Sequence, residues 1–168
     1  GLAARHPDTV FVAPHLASLA DDPLEFEETL QRHPNLCADI SARLPAMVRT
    51  SRRRGLWRQI LTDFADRILF GTDLIYLDGE IEKGIQSQSF QLPEDLDPHP
   101  AESPEERYER TSVEYALSHV EFLASDAVQP RAPFRRVTGS FALAGLGLAP
   151  AVVRRIVWDT PRRVYGLG

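Results

Sequence analysis

The sequence predicts an α/β fold with parallel strands, and three observations carry that reading. Short apolar runs recur at roughly 25 to 30 residues, the repeat of βα units joined by right-handed crossovers. Amphipathic helical patterns fill the intervals between them. The runs are continuous rather than alternating, as in strands covered on one or both faces. At 168 residues, 43% hydrophobic and 26% charged, the chain fits a single globular domain with one sizeable core.

The first segment, Leu2 to Pro7, reads as the tail of a helix running into a turn, the expected mark of a piece of a longer polypeptide. Thr9-Val10-Phe11-Val12-Ala13 is rich in β-branched and aromatic residues and forms the first strand. Pro14 has no amide to donate, so it ends that strand and delivers His15 to its C-terminal rim. Asp21-Asp22-Pro23 supplies a capping acid followed by proline, and Leu24, Phe26 and Leu30 give the helix its apolar contacts through Gln31. His33-Pro34-Asn35 stops it, with His33 as a cation favourable to the helix dipole.

Leu36-Cys37-Ala38-Asp39-Ile40 is the second strand, closing with Ser41-Ala42-Arg43. An acid inside it needs a partner if buried, and Arg43 or a backbone donor is the candidate. Trp57, Ile60, Leu61 and Phe64 then fall at i, i+3, i+4 and i+7 on one helical face that ends at Asp66. Arg67-Ile68-Leu69-Phe70 is the third strand, and Gly71 lets the backbone turn sharply so that Thr72 and Asp73 stand at its C-terminal end.

After Asp73 the pattern changes. A long loop at about 74–102 carries acids, prolines and amides with little periodicity, and loops of that length in compact domains are usually functional or disordered. Ser103-Pro104-Glu105-Glu106 is a capping box opening a helix to about Ser125, with Val113, Leu117 and Val120 on one side. A second loop covers Gln129 to Arg136. Ala149-Pro150 starts a last helix with Val152, Val153, Ile156 and Val157 on its apolar face, interrupted at Trp158-Asp159-Thr160-Pro161 and ending at Gly166.

Composition bounds the function. No apolar run of about 18 residues and no leader pattern supports a membrane span or a signal peptide, so a cytoplasmic location is the expectation. The lone Cys37 forms no internal disulfide and reads as a small buried hydrophobe, with a nucleophilic role the lesser alternative. A net charge of −5 argues against nucleic acid as a partner. Arg49, Arg52, Arg53, Arg54 and Arg58 form the one basic cluster, either a solvated face or a docking point for a phosphate or an acidic partner.

Three parallel strands side by side would present His15, the Asp39 to Arg43 segment and Asp73 on one rim. Histidine and carboxylate on neighbouring strand ends can bind a divalent metal or share a proton transfer. One of each is too few for a catalytic metal, which typically has three protein ligands.

Phe11-Val12-Ala13-Pro14-His15-Leu16, Asn35 to Arg43, and Asp66-Arg67-Ile68-Leu69-Phe70-Gly71-Thr72-Asp73 resemble, in order and spacing, three successive strand motifs of the amidohydrolase-related (amidohydrolase-2) family of metal-dependent hydrolases. The segment from Leu146 to Asp159 is similar to that family's final helix. The resemblance implies strands six to eight and the C-terminal helices of a (β/α)8 TIM-type barrel. It implies that Asp73 is the strand-eight aspartate, which binds the metal and can take up the proton of the activated water, and that His15 is the strand-six histidine, which binds or polarises substrate or acts as base. It further implies a divalent metal cofactor, zinc first. The family's His-x-His pair and its strand-five histidine have no counterpart and would lie before Gly1; His6 and His33, each before a proline at a turn, do not substitute. Where the family usually has Asn-Ala, this chain has Thr160-Pro161, and proline there breaks or restarts the final helix.

The expected activity is metal-dependent hydrolysis of a C–N or C–O bond in a small molecule. Arg43 is a candidate clamp for a substrate carboxylate or an ion-pair partner of Asp39. Tyr76 and Asp78 are candidate substrate contacts on a loop that would cover the site. A non-oxidative decarboxylase is the alternative within the family. A non-catalytic fragment or half-barrel that needs another polypeptide, its inner face open, is the alternative outside it; a homo-oligomer is possible in either case.

Overall fold

The structure, a computed structural model, describes residues 1–73, 101–128 and 144–167. A short helix α1 (Leu2–Arg5) leads to β1 (Phe11–Ala13), α2 (Pro23–Arg32), β2 (Leu36–Asp39), the short α3 (Leu44–Met47), α4 (Ser51–Asp63) and β3 (Ile68–Leu69). Helix α5 (Pro104–Ala124) follows, and the chain closes with α6 (Pro150–Arg154), a π-helical turn (Arg155–Asp159) and α7 (Thr160–Tyr165). The three strands form one parallel sheet in the order β1-β2-β3. Phe11 pairs with Leu36, Ala13 with Ala38, Ala38 with Ile68 and Asp39 with Leu69. The α/β reading with parallel strands therefore holds, each strand a residue or two shorter than its apolar run.

Parallel strands need their connections on the faces of the sheet, and α2 and α4 cover one of them. Helix α2 starts where Asp22 accepts the Glu25 amide ahead of Pro23, and α4 starts where Thr50 caps the Arg53 amide. Phe26 and Trp57 meet with ring centroids 5.1 Å apart, and Trp57 donates its indole N–H to the Ala20 carbonyl at 3.2 Å. Leu30, Ala38, Ile40, Ile60, Leu61 and Ile68 complete this layer, all at most 2% exposed. The 57, 60, 61, 64 face faces the core as its spacing demands, with Phe64 packed at the margin. Leu24 differs from expectation: it is half exposed, and Pro23 is buried in its stead.

Strand alternation puts Cys37, Asp39 and Leu69 on the opposite face. Cys37 and Leu69 are buried there, and Asp39 is partly buried. Burial pushes the Cys37 thiol up, which makes it a poor nucleophile and leaves the reading as a small buried hydrophobe.

Helix α5 has the capping box its sequence announces, with Ser103 and Glu106 exchanging hydrogen bonds. Its buried side is another matter. Val113 and Leu117 are more than half exposed, while Ser118, His119, Phe122 and Leu123 are buried. The helix is turned by the packing of its C-terminal half: Leu146 and Leu148 amides bond the Phe122 and Leu123 carbonyls, and Gly145 and Gly147 amides bond those of Ala127 and Ser125. A Cβ on Gly145 would lie 2.0 Å from the Ser125 carbonyl oxygen and 2.6 Å from that of Phe122.

The closing helix runs through Pro161 instead of stopping. The Thr160 amide bonds the Arg155 carbonyl, a π-helical step. Pro161 has no amide to give, so the Ile156 carbonyl is released from the ladder, and it accepts the Phe70 amide at 3.1 Å. Thr160, 1% exposed, donates its hydroxyl to the Ala65 carbonyl at 2.8 Å, and Arg163 bonds the Asp66 carbonyl. Thr160-Pro161 thus docks the final helix on both flanks of β3. Gly166 ends it in the left-handed conformation, as expected. Among the described residues no helix is long and apolar enough to cross a membrane.

Candidate functional site

The C-terminal ends of the strands share an unusual backbone. Among the described residues the non-glycine positions of positive φ are His15, Leu16, Ala17, Ser18, Ala42 and Asp73, and every one of them lies just past β1, β2 or β3. The left-handed region costs an L-residue roughly 1–2 kcal/mol, and such strain gathers where function over-determines the chain. Four consecutive residues, His15 to Ser18, pay it after β1.

What holds that turn is visible in its contacts. Leu16 is fully buried, and the Leu19 amide bonds its carbonyl at 2.9 Å. Asp39 Oδ1 accepts the His15 amide at 2.9 Å and the Ser41 amide at 3.0 Å, and the Ser41 hydroxyl also donates to it. Backbone donors and a hydroxyl, rather than Arg43, thus answer the demand for a partner to Asp39. The His15 ring lies with Nδ1 3.0 Å from both the carbonyl oxygen and the Oγ of Ser41. Gly71 closes the group from β3: a Cβ there would sit 3.2 Å from Ser41 Cβ and 3.6 Å from Asp39 Cβ and Cγ. Gly71 therefore serves close approach, and it is Asp73, at φ +62, that takes the turn assigned to the glycine.

Asp73 is exposed. Behind it, the Phe70 ring meets His119 edge-on at 6.2 Å, and His119 meets Tyr115 at 4.5 Å. His119 Nδ1 donates to the Tyr115 carbonyl at 2.8 Å. Burial, and then the nearby Asp73 carboxylate, push the Tyr115 phenol up, so the group stays a protonated donor. Burial pushes the His119 imidazole down.

The sheet brings His15, Asp39, Ser41 and Gly71 into one cluster, with Asp73 two residues past its edge. Arg43, half-buried, stands at the start of α3 just beyond it. Tyr76 and Asp78, the long loop and the loop from Gln129 lie outside the described residues. His33 caps α2 and its carbonyl accepts from Arg67; the His6 carbonyl accepts from Asn35. Of the basic cluster, Arg49 and Arg53 pair with Asp21 at 3.1 and 2.8 Å, and Arg54 bonds the Gly145 carbonyl. Ser41, Tyr115 and His119 escaped the sequence reading, although Tyr115, Ser118, His119 and Phe122 carry a helical i, i+3, i+4, i+7 spacing that points to a shared face.

Among the described donors, Asp73 offers an exposed carboxylate oxygen of the kind a divalent cation takes. No group of three or more His, Cys, Asp or Glu placed to hold a metal exists among the described residues. These donors alone do not fit a catalytic zinc centre.

No curated protein and no solved structure matches the chain. The family model described as Amidohydrolase matches residues 1–167, spanning the strand motifs, the long middle segment and the closing helix. A parallel sheet whose C-terminal rim gathers an imidazole and carboxylates accords with that match, and the chain belongs to the amidohydrolase family.

Proposed function

We propose that the chain carries part of the active centre of a metal-dependent hydrolase that cleaves a C–N or C–O bond of a small molecule. The observation that supports this most is the confinement of the left-handed non-glycine backbone, among the described residues, to the three strand ends. Family membership adds the expectation of a TIM-type barrel, whose catalytic residues stand at that end, and of a divalent metal.

In this reading His15 is the acid–base group: it gives a proton to the departing nitrogen or oxygen, or draws one from the attacking water. Asp73 offers an exposed carboxylate as one ligand of a divalent cation, zinc first. Because the described donors fall short of a coordination sphere, the remaining ligands belong to other parts of the polypeptide or to a partner. Arg43 is proposed to clamp a substrate carboxylate, and Tyr76 to contact substrate.

The experiment is turnover in H2(18)O, with zinc and other divalent cations added in turn, against small lactones, amides, esters and carboxylated aromatics. Hydrolysis puts one labelled oxygen into the product. Carbon dioxide release without label in the product would replace the hydrolase with a decarboxylase. Absence of turnover together with absence of metal uptake would leave a non-catalytic chain that needs another polypeptide.

A further inference from the structure

The geometry points to Asp39 and Ser41 as a positioning pair that locks the His15 imidazole in its Nδ1–H tautomer, so that Nε2 is the nitrogen offered to substrate. The inference deepens the proposed function, resting on His15 as its acid–base residue, yet the tautomer itself follows from donors and acceptors alone.

An ionised carboxylate only accepts hydrogen bonds, and a serine hydroxyl has one hydrogen. The Ser41 hydroxyl donates to Asp39 Oδ1, so that hydrogen is committed. What Ser41 then turns to His15 is lone pairs, from Oγ and from its own carbonyl oxygen, each 3.0 Å from Nδ1. A nitrogen facing two acceptors must carry the proton. In the neutral ring the lone pair is left on Nε2, which makes no hydrogen bond among the described residues. The reverse tautomer would set the Nδ1 lone pair against the Ser41 carbonyl and could be relieved only by turning the hydroxyl away from Asp39.

The same carboxylate controls the backbone. Asp39 Oδ1 accepts the His15 amide at 2.9 Å, at the first left-handed residue of the turn. One side chain on β2 therefore fixes the position of His15 through its amide and its protonation pattern through Ser41. Gly71 packs against both residues, so the exit of β3 keeps the pair in place. A partner that fixes the tautomer of a working histidine is a recurrent device, usually a carboxylate bonded to the ring directly; here the carboxylate acts through a serine.

The test is a long-range proton–nitrogen correlation spectrum of the full chain labelled with 15N-histidine, without substrate or metal, at a pH where the ring is neutral. His15 is assigned by its loss in His15→Asn. The expected spectrum has a protonated, pyrrole-like Nδ1 and an unprotonated, pyridine-like Nε2. Ser41→Ala keeps the backbone carbonyl and removes one acceptor, so the Nδ1–H to Nε2–H ratio falls by about fivefold, the worth of one hydrogen bond. Asp39→Asn lowers the ratio as well; if that variant does not fold, Ser41→Ala decides alone. An Nε2–H or averaged ring in the wild type, or a wild-type ratio in folded Ser41→Ala, overturns the inference. Because no substrate is present, failure of the hydrolase reading in the labelled-water experiment leaves this result standing, and the reverse.

Discussion

His119 is 1% exposed, and its charged form is penalised by burial while Nδ1 holds the Tyr115 carbonyl. The folded state therefore binds a proton more weakly than the unfolded chain, whose histidines titrate near about 6.5. Above that pH both states are neutral and the contribution of the group is fully present. As pH falls below it, the unfolded chain takes up a proton that the folded chain refuses, and stability declines toward the lowered folded value. Urea midpoints measured at about pH 7.5 and about pH 5.5 should separate in the wild type and separate less in His119→Gln; equal separations would contradict this role. Thr160 offers a second test at the same scale. Its buried hydroxyl holds the Ala65 carbonyl, and Thr160→Val keeps the shape while stranding that acceptor. A loss of about 1–3 kcal/mol by denaturant titration is expected. A change within about 0.5 kcal/mol, as on an ordinary surface, would show that this hydrogen bond does not hold the helix to β3.

Among the elements, the segment from Gly145 to Leu148 has the least room to vary, because it wraps the end of α5 through four backbone hydrogen bonds. Gly145→Ala would force a methyl against two carbonyl oxygens that cannot rotate away. The expected cost is at least about 1–3 kcal/mol, read as a lowered melting temperature, and a neutral substitution would refute the packing. Elements such as β1, β2 and α2 were legible in the sequence because apolar runs agreed with the prolines and the capping acid beside them, whereas α4 was legible in its apolar face but not in its Thr50 cap or its end at Asp63. Helix α5 was legible in its start and in its length but not in its orientation. Its exposed Val113 and Leu117 outrank Ser118 and His119 on any apolar count, yet the polar pair faces inward, where hydrogen bonds along the helix satisfy it. The π-helical turn shows the same limit: Pro161 announced a disturbance, but the carbonyl it frees finds its donor 86 residues earlier in sequence, at Phe70, which no local pattern encodes.

At the scale of the molecule, the candidate site is a property of three strands rather than of any one. The sequence placed His15 and Asp73 on a rim because parallel strands put their C-terminal ends together. It could not show that Asp39 and Ser41 would bind His15, since that depends on register, with Ala13 beside Ala38 and Ala38 beside Ile68. Nor did any glycine mark the left-handed turn from His15 to Ser18. Tertiary contacts hold that turn, and the same contacts aim the imidazole. Asp73 allows the claim of an active rim to be tested without disturbing the fold. The residue is exposed and left-handed, and asparagine tolerates that conformation better than other non-glycine residues. Asp73→Asn thus removes the charge while keeping the backbone, and its denaturation midpoint should match the wild type within about 0.5 kcal/mol. The most direct measurement is kcat/KM of Asp73→Asn beside the wild type on whichever substrate incorporates label. A fall of about 100-fold or more at unchanged stability is the expected result, and wild-type kcat/KM in the folded variant would contradict the assignment of this rim as the active centre.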